Sequence, residues 1–130
     1  MRRLIINSKE LADKYYFHDS DLTKVEYNPQ TRTAFFVVDF CYWMQTWYVP
    51  GEIKNGFIGL RFSGVSKLEY DATKGNGVFG NSILDVELSA DGALIFQQSD
   101  DDTFEYYETV IKAESVEVEP LPDYVDPNDQ

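Results

Sequence analysis

The 130-residue sequence contains a single cysteine, Cys41, and a single histidine, His18. With one cysteine no intramolecular disulfide can form, so the fold must stand on its apolar core, which suits a reducing compartment. One cysteine and one histidine also fall short of a Cys2His2 structural zinc set. Long apolar runs are missing too. Met1-Arg2-Arg3-Leu4-Ile5-Ile6 opens like a secretory leader, but its apolar run stops at Asn7, short of the roughly 7–15 residues of an h-region. No stretch approaches the ~18 apolar residues of a membrane span. The expectation is a cytoplasmic protein with no membrane segment.

Positive charge is scarce. Eleven Lys and Arg stand against 23 Asp and Glu, giving a net charge of −12 and a sequence pI near 4.3. The imbalance is concentrated: Ser99–Gln130 holds eleven acids and one base, Lys112, for a net −10, whereas residues 1–98 hold twelve acids and ten bases, net −2. Such a field repels nucleic acid and anionic lipid and attracts a basic protein partner. A solvated, solubilising skin gives the same composition.

Aromatic residues are plentiful: 9 Phe, 9 Tyr and 2 Trp make up 15% of the chain. At roughly 150–250 Å² of buried surface each, about half of them would furnish the core of one domain. Asn7 with Glu10 three residues later forms a capping-box pattern, and Leu11 and Tyr15 share a face, so a short helix is expected over residues 8–16. From Leu22 the apolar period becomes two. Strands are read at residues 22–28, 33–43, 57–62, 65–70, 82–88 and 93–98, followed by a stretch from 103 to 118 whose phase slips, as a bulge or two strands would explain. Phe35-Phe36-Val37-Val38 is apolar on both faces and predicts a covered, central strand. Ala90-Asp91-Gly92 predicts a tight hairpin, and the glycine-rich residues 71–80 an irregular loop. The expected fold is mainly β: an antiparallel sandwich or curled sheet of about 7–8 strands with a short N-terminal helix. Residues 1–119 are read as one β-rich domain and 120–130 as a flexible acidic tail.

Several residues invite a chemical reading. His18-Asp19-Ser20 holds the three residue types of a hydrolytic triad. Neighbours on an extended chain point to opposite faces, however, and His18 and Ser20 would stand roughly 7 Å apart at about 3.3 Å per residue. A corner in which Asp19 and Ser20 bond nearby backbone N–H groups is the plainer reading. Cys41, among Phe40, Tyr42 and Trp43, reads as a small buried apolar residue. Asp100-Asp101-Asp102 lacks the spacing of an EF-hand and reads as a solvated turn. Lys74-Gly75-Asn76-Gly77 lacks the spacing of a phosphate loop. No metal or cofactor is expected. The strongest candidate is Tyr42-Trp43-Met44-Gln45-Thr46-Trp47-Tyr48. As a strand it would put Tyr42, Met44, Thr46 and Tyr48 on one side and Trp43, Gln45 and Trp47 on the other. One side must be core; the other is either covered or offered to a partner, for which Tyr and Trp are favoured anchors. The candidate binding residues are thus Tyr42, Trp43, Trp47, Tyr48, His18 and Asp19.

Phe17-His18-Asp19-Ser20, Leu60-Arg61-Phe62-Ser63-Gly64-Val65 and Ile111-Lys112-Ala113-Glu114-Ser115-Val116-Glu117-Val118 together resemble segments of small bacterial β-rich immunity-type proteins of polymorphic toxin systems, and of related uncharacterised bacterial proteins. The resemblance implies a protein that acts by binding rather than by catalysis, and transfers no functional residue. Three readings follow. The first is a non-enzymatic protein-binding domain, such as an inhibitor of a basic toxin. The second is a small-ligand binder or enzyme with an aromatic-lined pocket, using His18, Tyr42 or Asp39. The third is a structural subunit that uses an open strand edge.

Overall fold

The computed structural model describes residues 3–70, 81–100 and 102–125. The expected loop over 71–80 lies outside them, as do Asp101 and residues 126–130. Among the described residues the chain forms β1 (Leu4–Ile6), α1 (Ser8–Lys14), β2 (Asp21–Asn28), β3 (Thr33–Cys41), a 3-10 turn (Tyr42–Met44), β4 (Asn55–Ser63), β5 (Lys67–Glu69), β6 (Asn81–Leu88), β7 (Leu94–Asp100), β8 (Tyr106–Lys112) and β9 (Ser115–Pro120). All nine strands join one antiparallel sheet, in the order β1-β9-β4-β3-β2-β6-β7-β8-β5. The protein is mainly β, as its period-two pattern implied. The strand count exceeds 7–8 because the slipping stretch from 103 to 118 is two strands and because the three-residue β1 adds one more.

This sheet cannot be flat. The link from β8 to β9, through Ala113 and Glu114, crosses from the eighth position in the sheet to the second. Six strand spacings span about 28 Å, while three residue steps reach at most about 11 Å. The link from β4 to β5 makes a comparable crossing, from third position to ninth. The sheet is therefore rolled, and its two halves, β1-β9-β4-β3-β2 and β6-β7-β8-β5, face each other. Gly64 sits in the second crossing at φ +66, a conformation that L side chains rarely adopt, and a Cβ there would lie 2.5 Å from the Glu114 carboxyl. Backbone hydrogen bonds Glu114 N–H to Ser63 C=O (3.0 Å) and Ser66 N–H to Lys112 C=O (2.9 Å) tie the two crossings together.

The core lies between the halves. Inward residues of β3 (Ala34, Phe36, Val38, Phe40) meet Leu60 and Phe62 of β4, Val116 and Val118 of β9, and Ile83, Leu94, Phe96 and Ile111 from the opposite half. Phe36 of β3 and Phe96 of β7 stand 5.5 Å apart, centroid to centroid, although two strands separate them in the sheet. On the outer face of β3, Phe35 lies under the Arg61 guanidinium at 4.5 Å, and Val37 is fully buried. The doubly apolar run Phe35–Val38 is thus a central strand.

Three expectations change. The helix ends at Lys14, because Tyr15 is already extended at φ −118, ψ 124; its start carries the Asn7–Glu10 capping box in full. The strand from Thr33 ends at Cys41 rather than Trp43, and the chain turns through Tyr42–Met44. Strict alternation over 82–88 groups Leu84 with Val86 and Leu88 on the apolar face and Ile83 with Asp85 and Glu87 on the other, but in β6 a register shift between Ile83 and Asp85 turns Ile83 inward and Leu84 outward. The segment that follows β9 stays against β4 as far as Tyr124. Pro120 pairs with Ile58, Leu121 N–H bonds Phe57 C=O at 2.9 Å, and Tyr124 packs on Phe57 at 4.8 Å.

Candidate functional site

His18-Asp19-Ser20 occupies the joint between the two halves. Strands β2 and β6 share one register pair, Asp21 with Ser82. The corner residues extend it: Asp19 N–H bonds Ile83 C=O (3.0 Å) and Ile83 N–H bonds Ser20 C=O (2.7 Å). Ser20 is fully buried, and its Oγ accepts Cys41 N–H at 3.1 Å. His18 Nδ1 lies 2.8 Å from Leu84 C=O, so that nitrogen carries the proton and donates; Nε2 is 3.4 Å from an Asp19 oxygen. Asp19 holds φ +65 to make the turn. Ser20 Oγ is thus committed to a backbone amide, and the joint has the geometry of a clasp across the sheet rather than a nucleophile with its base.

Cys41 belongs to the same clasp. Its Sγ lies 3.5 Å from Asp19 C=O. Burial pushes its thiol pKa up, a hydrogen bond with Ser20 opposes this, and the carboxylates of Asp39, Asp19 and Asp21 add to the rise. Since the thiolate is the reactive form, native Cys41 should react with a disulfide reagent at neutral pH at least about tenfold more slowly than the denatured chain. Equal rates, followed by thiolate release at 412 nm, would overturn the assignment.

The aromatic segment does not run as a strand, and the two faces expected of it do not exist. The chain leaves β3 in the 3-10 turn, and Gln45 folds back under it. The buried Gln45 amide accepts Tyr16 N–H (2.8 Å) and donates to Tyr16 C=O (2.7 Å) and Cys41 C=O (3.0 Å). Trp47 packs against Tyr15, Phe40 and Tyr42 at 5.9–6.4 Å and donates its indole N–H to Lys14 C=O. Trp43 is left 49% exposed and Ile53 65%.

Between this excursion and the C-terminal turn lies a cleft of about 530 Å³, within the range of ligand pockets. It opens on the outer face at the end of β3 and β4. One wall carries the rings of Tyr42, Trp47 and Tyr48; the other carries Phe57 and Tyr124. Asp39 and Glu52 are its two charged lining side chains, and Pro120, Leu121 and Pro122 shape its rim. Asp39 pairs in register with Phe57, which places it beside that wall. Gly56 leaves room for the Tyr42 ring, since a Cβ there would sit 3.2 Å from Tyr42 Cε2. Burial, with a smaller contribution from Tyr15, raises the Tyr42 pKa and keeps its phenol neutral.

The structure therefore brings together Tyr42, Trp47, Tyr48 and Asp39 of the residues singled out from sequence. It leaves Trp43 outside the cleft on the same excursion, and puts His18 and Asp19 at the joint. Sequence reading missed Phe57, Glu52 and Tyr124, which reach the cleft from three separate places in the chain. Asp100 is buried at the end of β7 rather than solvated as expected, and its Oδ1 caps the turn by accepting the N–H groups of Asp102 and Thr103; Asp101 lies outside the described residues. Among the described residues no group of three or more His, Cys, Asp or Glu is placed to hold a metal ion, and no helix is long and apolar enough to cross a membrane. Comparison with family models, with curated proteins and with solved structures finds no match to this chain.

Proposed function

We propose that this chain is a binding protein that docks a basic protein partner over the aromatic cleft and the exposed side chains of residues 43–53. The observation that carries this reading is the lining of the cleft: five rings, two carboxylates and no cationic side chain among the described residues. Next to it Trp43, Val49 and Ile53 stand exposed, an apolar surface of the kind that supplies affinity once a partner covers it. The net charge of −12 speeds encounter with a basic surface and disfavours acidic competitors. The resemblance to immunity-type proteins makes a basic toxin enzyme the class of partner we infer.

The test starts from the native host. A partner captured on the intact protein is identified, purified and titrated with the wild type and with Trp43→Ala and Ile53→Ala, whose side chains are exposed. Each variant should weaken binding by about tenfold or more, and raising salt from about 50 to 500 mM should weaken the wild type by a similar factor. The reading is wrong if no basic protein binds, or if binding ignores both salt and these substitutions.

A further inference from the structure

We infer that the cleft receives the side chain of an arginine projecting from an apolar segment of the partner. This rests on the reading above and specifies the group it recognises. The polar atoms of two wall residues are already engaged: Trp47 donates its N–H to Lys14 C=O at 3.1 Å, and Tyr48 donates its O–H to Glu52 C=O at 2.7 Å. These rings therefore offer an incoming group their π faces rather than donors. Within one wall Tyr42 and Trp47 meet edge to face at 85°, and within the other Phe57 and Tyr124 are tilted at 56°, so ring faces and edges both line the space. The faces attract a cation, and Asp39 and Glu52 supply its counter-charge.

A guanidinium fits this combination better than an ammonium. It is flat and stacks on rings, and it can give two parallel N–H groups to one carboxylate. Its weaker hydration makes entry into a half-apolar cleft less costly. The rim argues for a side chain on a chain rather than a free small molecule. Ile53, Leu121 and the flanking prolines extend apolar surface beyond the rings, and a free amino acid would bring its own charged ends against them.

The experiment uses the full chain carrying Trp43→Phe, so that Trp47 is the only indole and reports on the cleft. The probes are acetyl-Leu-Arg-Leu-amide, its lysine and citrulline twins, and free arginine. The arginine peptide should change Trp47 emission saturably. It should bind about tenfold or more tighter than the citrulline twin, which keeps the shape and loses the charge, and tighter than the lysine twin. Asp39→Asn and Glu52→Gln should each weaken it by about three- to tenfold, with circular dichroism and thermal midpoint confirming that both variants fold. Equal binding of arginine and citrulline peptides, or no saturable response, overturns the inference. Free arginine binding as tightly as the peptide overturns the assignment to a partner side chain. Failures of the two readings are separable. A captured partner that still binds in the presence of saturating arginine peptide leaves the docking reading standing and removes this one. A bound arginine peptide with no basic partner in the host leaves the cleft's selectivity for a guanidinium standing, but removes the docking reading and with it the assignment to a partner side chain.

Discussion

Phe36→Ala should lower the free energy of unfolding by about 3–5 kcal/mol, the range for emptying a fully buried phenylalanine site. Phe36 has no exposed surface. Its ring touches Phe62 of the adjacent strand at 4.9 Å and Phe96 of the opposite half at 5.5 Å, so its loss opens a hole between two layers that the rolled backbone holds apart. A domain of this size has a total stability of about 5–15 kcal/mol, so the effect is a large share of the whole. Urea unfolding followed by circular dichroism reads it as a lower midpoint at unchanged slope. Phe96→Ala should be comparable, and the double variant should be non-additive by more than about 0.5 kcal/mol because the two rings share one contact. On the outer face Phe35, half-buried beneath Arg61, should cost clearly less when cut to alanine. A Phe36→Ala effect no larger than that of Phe35→Ala would mean that the halves do not share a core.

Gln45→Leu should cost about 2–5 kcal/mol. The leucine has a suitable size and removes a polar group, yet the residues around it were arranged for an amide. Both backbone groups of Tyr16 bond to the Gln45 side chain, which thereby acts as a one-residue strand partner for the segment leading out of α1. Leucine leaves the Tyr16 N–H and C=O and the Cys41 C=O without that partner, at about 1–3 kcal/mol for each group that water cannot reach. Chemical denaturation gives the total. Amide hydrogen exchange gives the location, since Tyr16 N–H should lose protection well before the β3–β4 ladder does. Stability within about 0.5 kcal/mol of wild type would show that water takes over these bonds and that the excursion is not anchored through Gln45.

The partner reading depends on this anchoring. Gln45 holds the chain where it leaves β3, Trp47 bonds the C-terminal carbonyl of Lys14, and the excursion then presents Trp43 and Ile53 to solvent. If the anchor were loose, the cleft wall carrying Trp47 and Tyr48 would have to be ordered on binding, which weakens association. Gln45→Leu should therefore also reduce the affinity for the captured partner, in contrast to Phe35→Ala, since Phe35 does not line the cleft.

Much of the fold was legible because its signals are local. A period of two reports which side of a strand faces the core, and it identified β2, β3, β4, β6 and β7 to within a few residues. The capping box of Asn7 and Glu10 marked the start of α1. The turn at Ala90-Asp91-Gly92 closes as expected, with Ser89 N–H on Ala93 C=O at 2.8 Å and Gly92 at φ +89. Errors arose where alternation is interrupted. At Tyr42–Tyr48 a strand-like composition continues although the backbone turns, because the aromatic rings that favour a strand equally favour a tertiary cluster with Tyr15 and Phe40. At Leu84 one extra residue in the ladder reverses the faces.

By itself the sequence determined the class of the fold, the acidic character of the surface, and the limit on disulfide and zinc chemistry that a lone Cys41 and a lone His18 impose. Only the tertiary structure decided that the sheet rolls until Phe36 meets Phe96, that His18-Asp19-Ser20 clasps two halves together, and that Asp39, Trp47, Phe57 and Tyr124 surround one cleft. The reason is the range of the forces involved. Periodicity and capping act between residues a few positions apart, whereas the cleft exists only once loop crossings and core packing have brought together segments up to 85 positions apart.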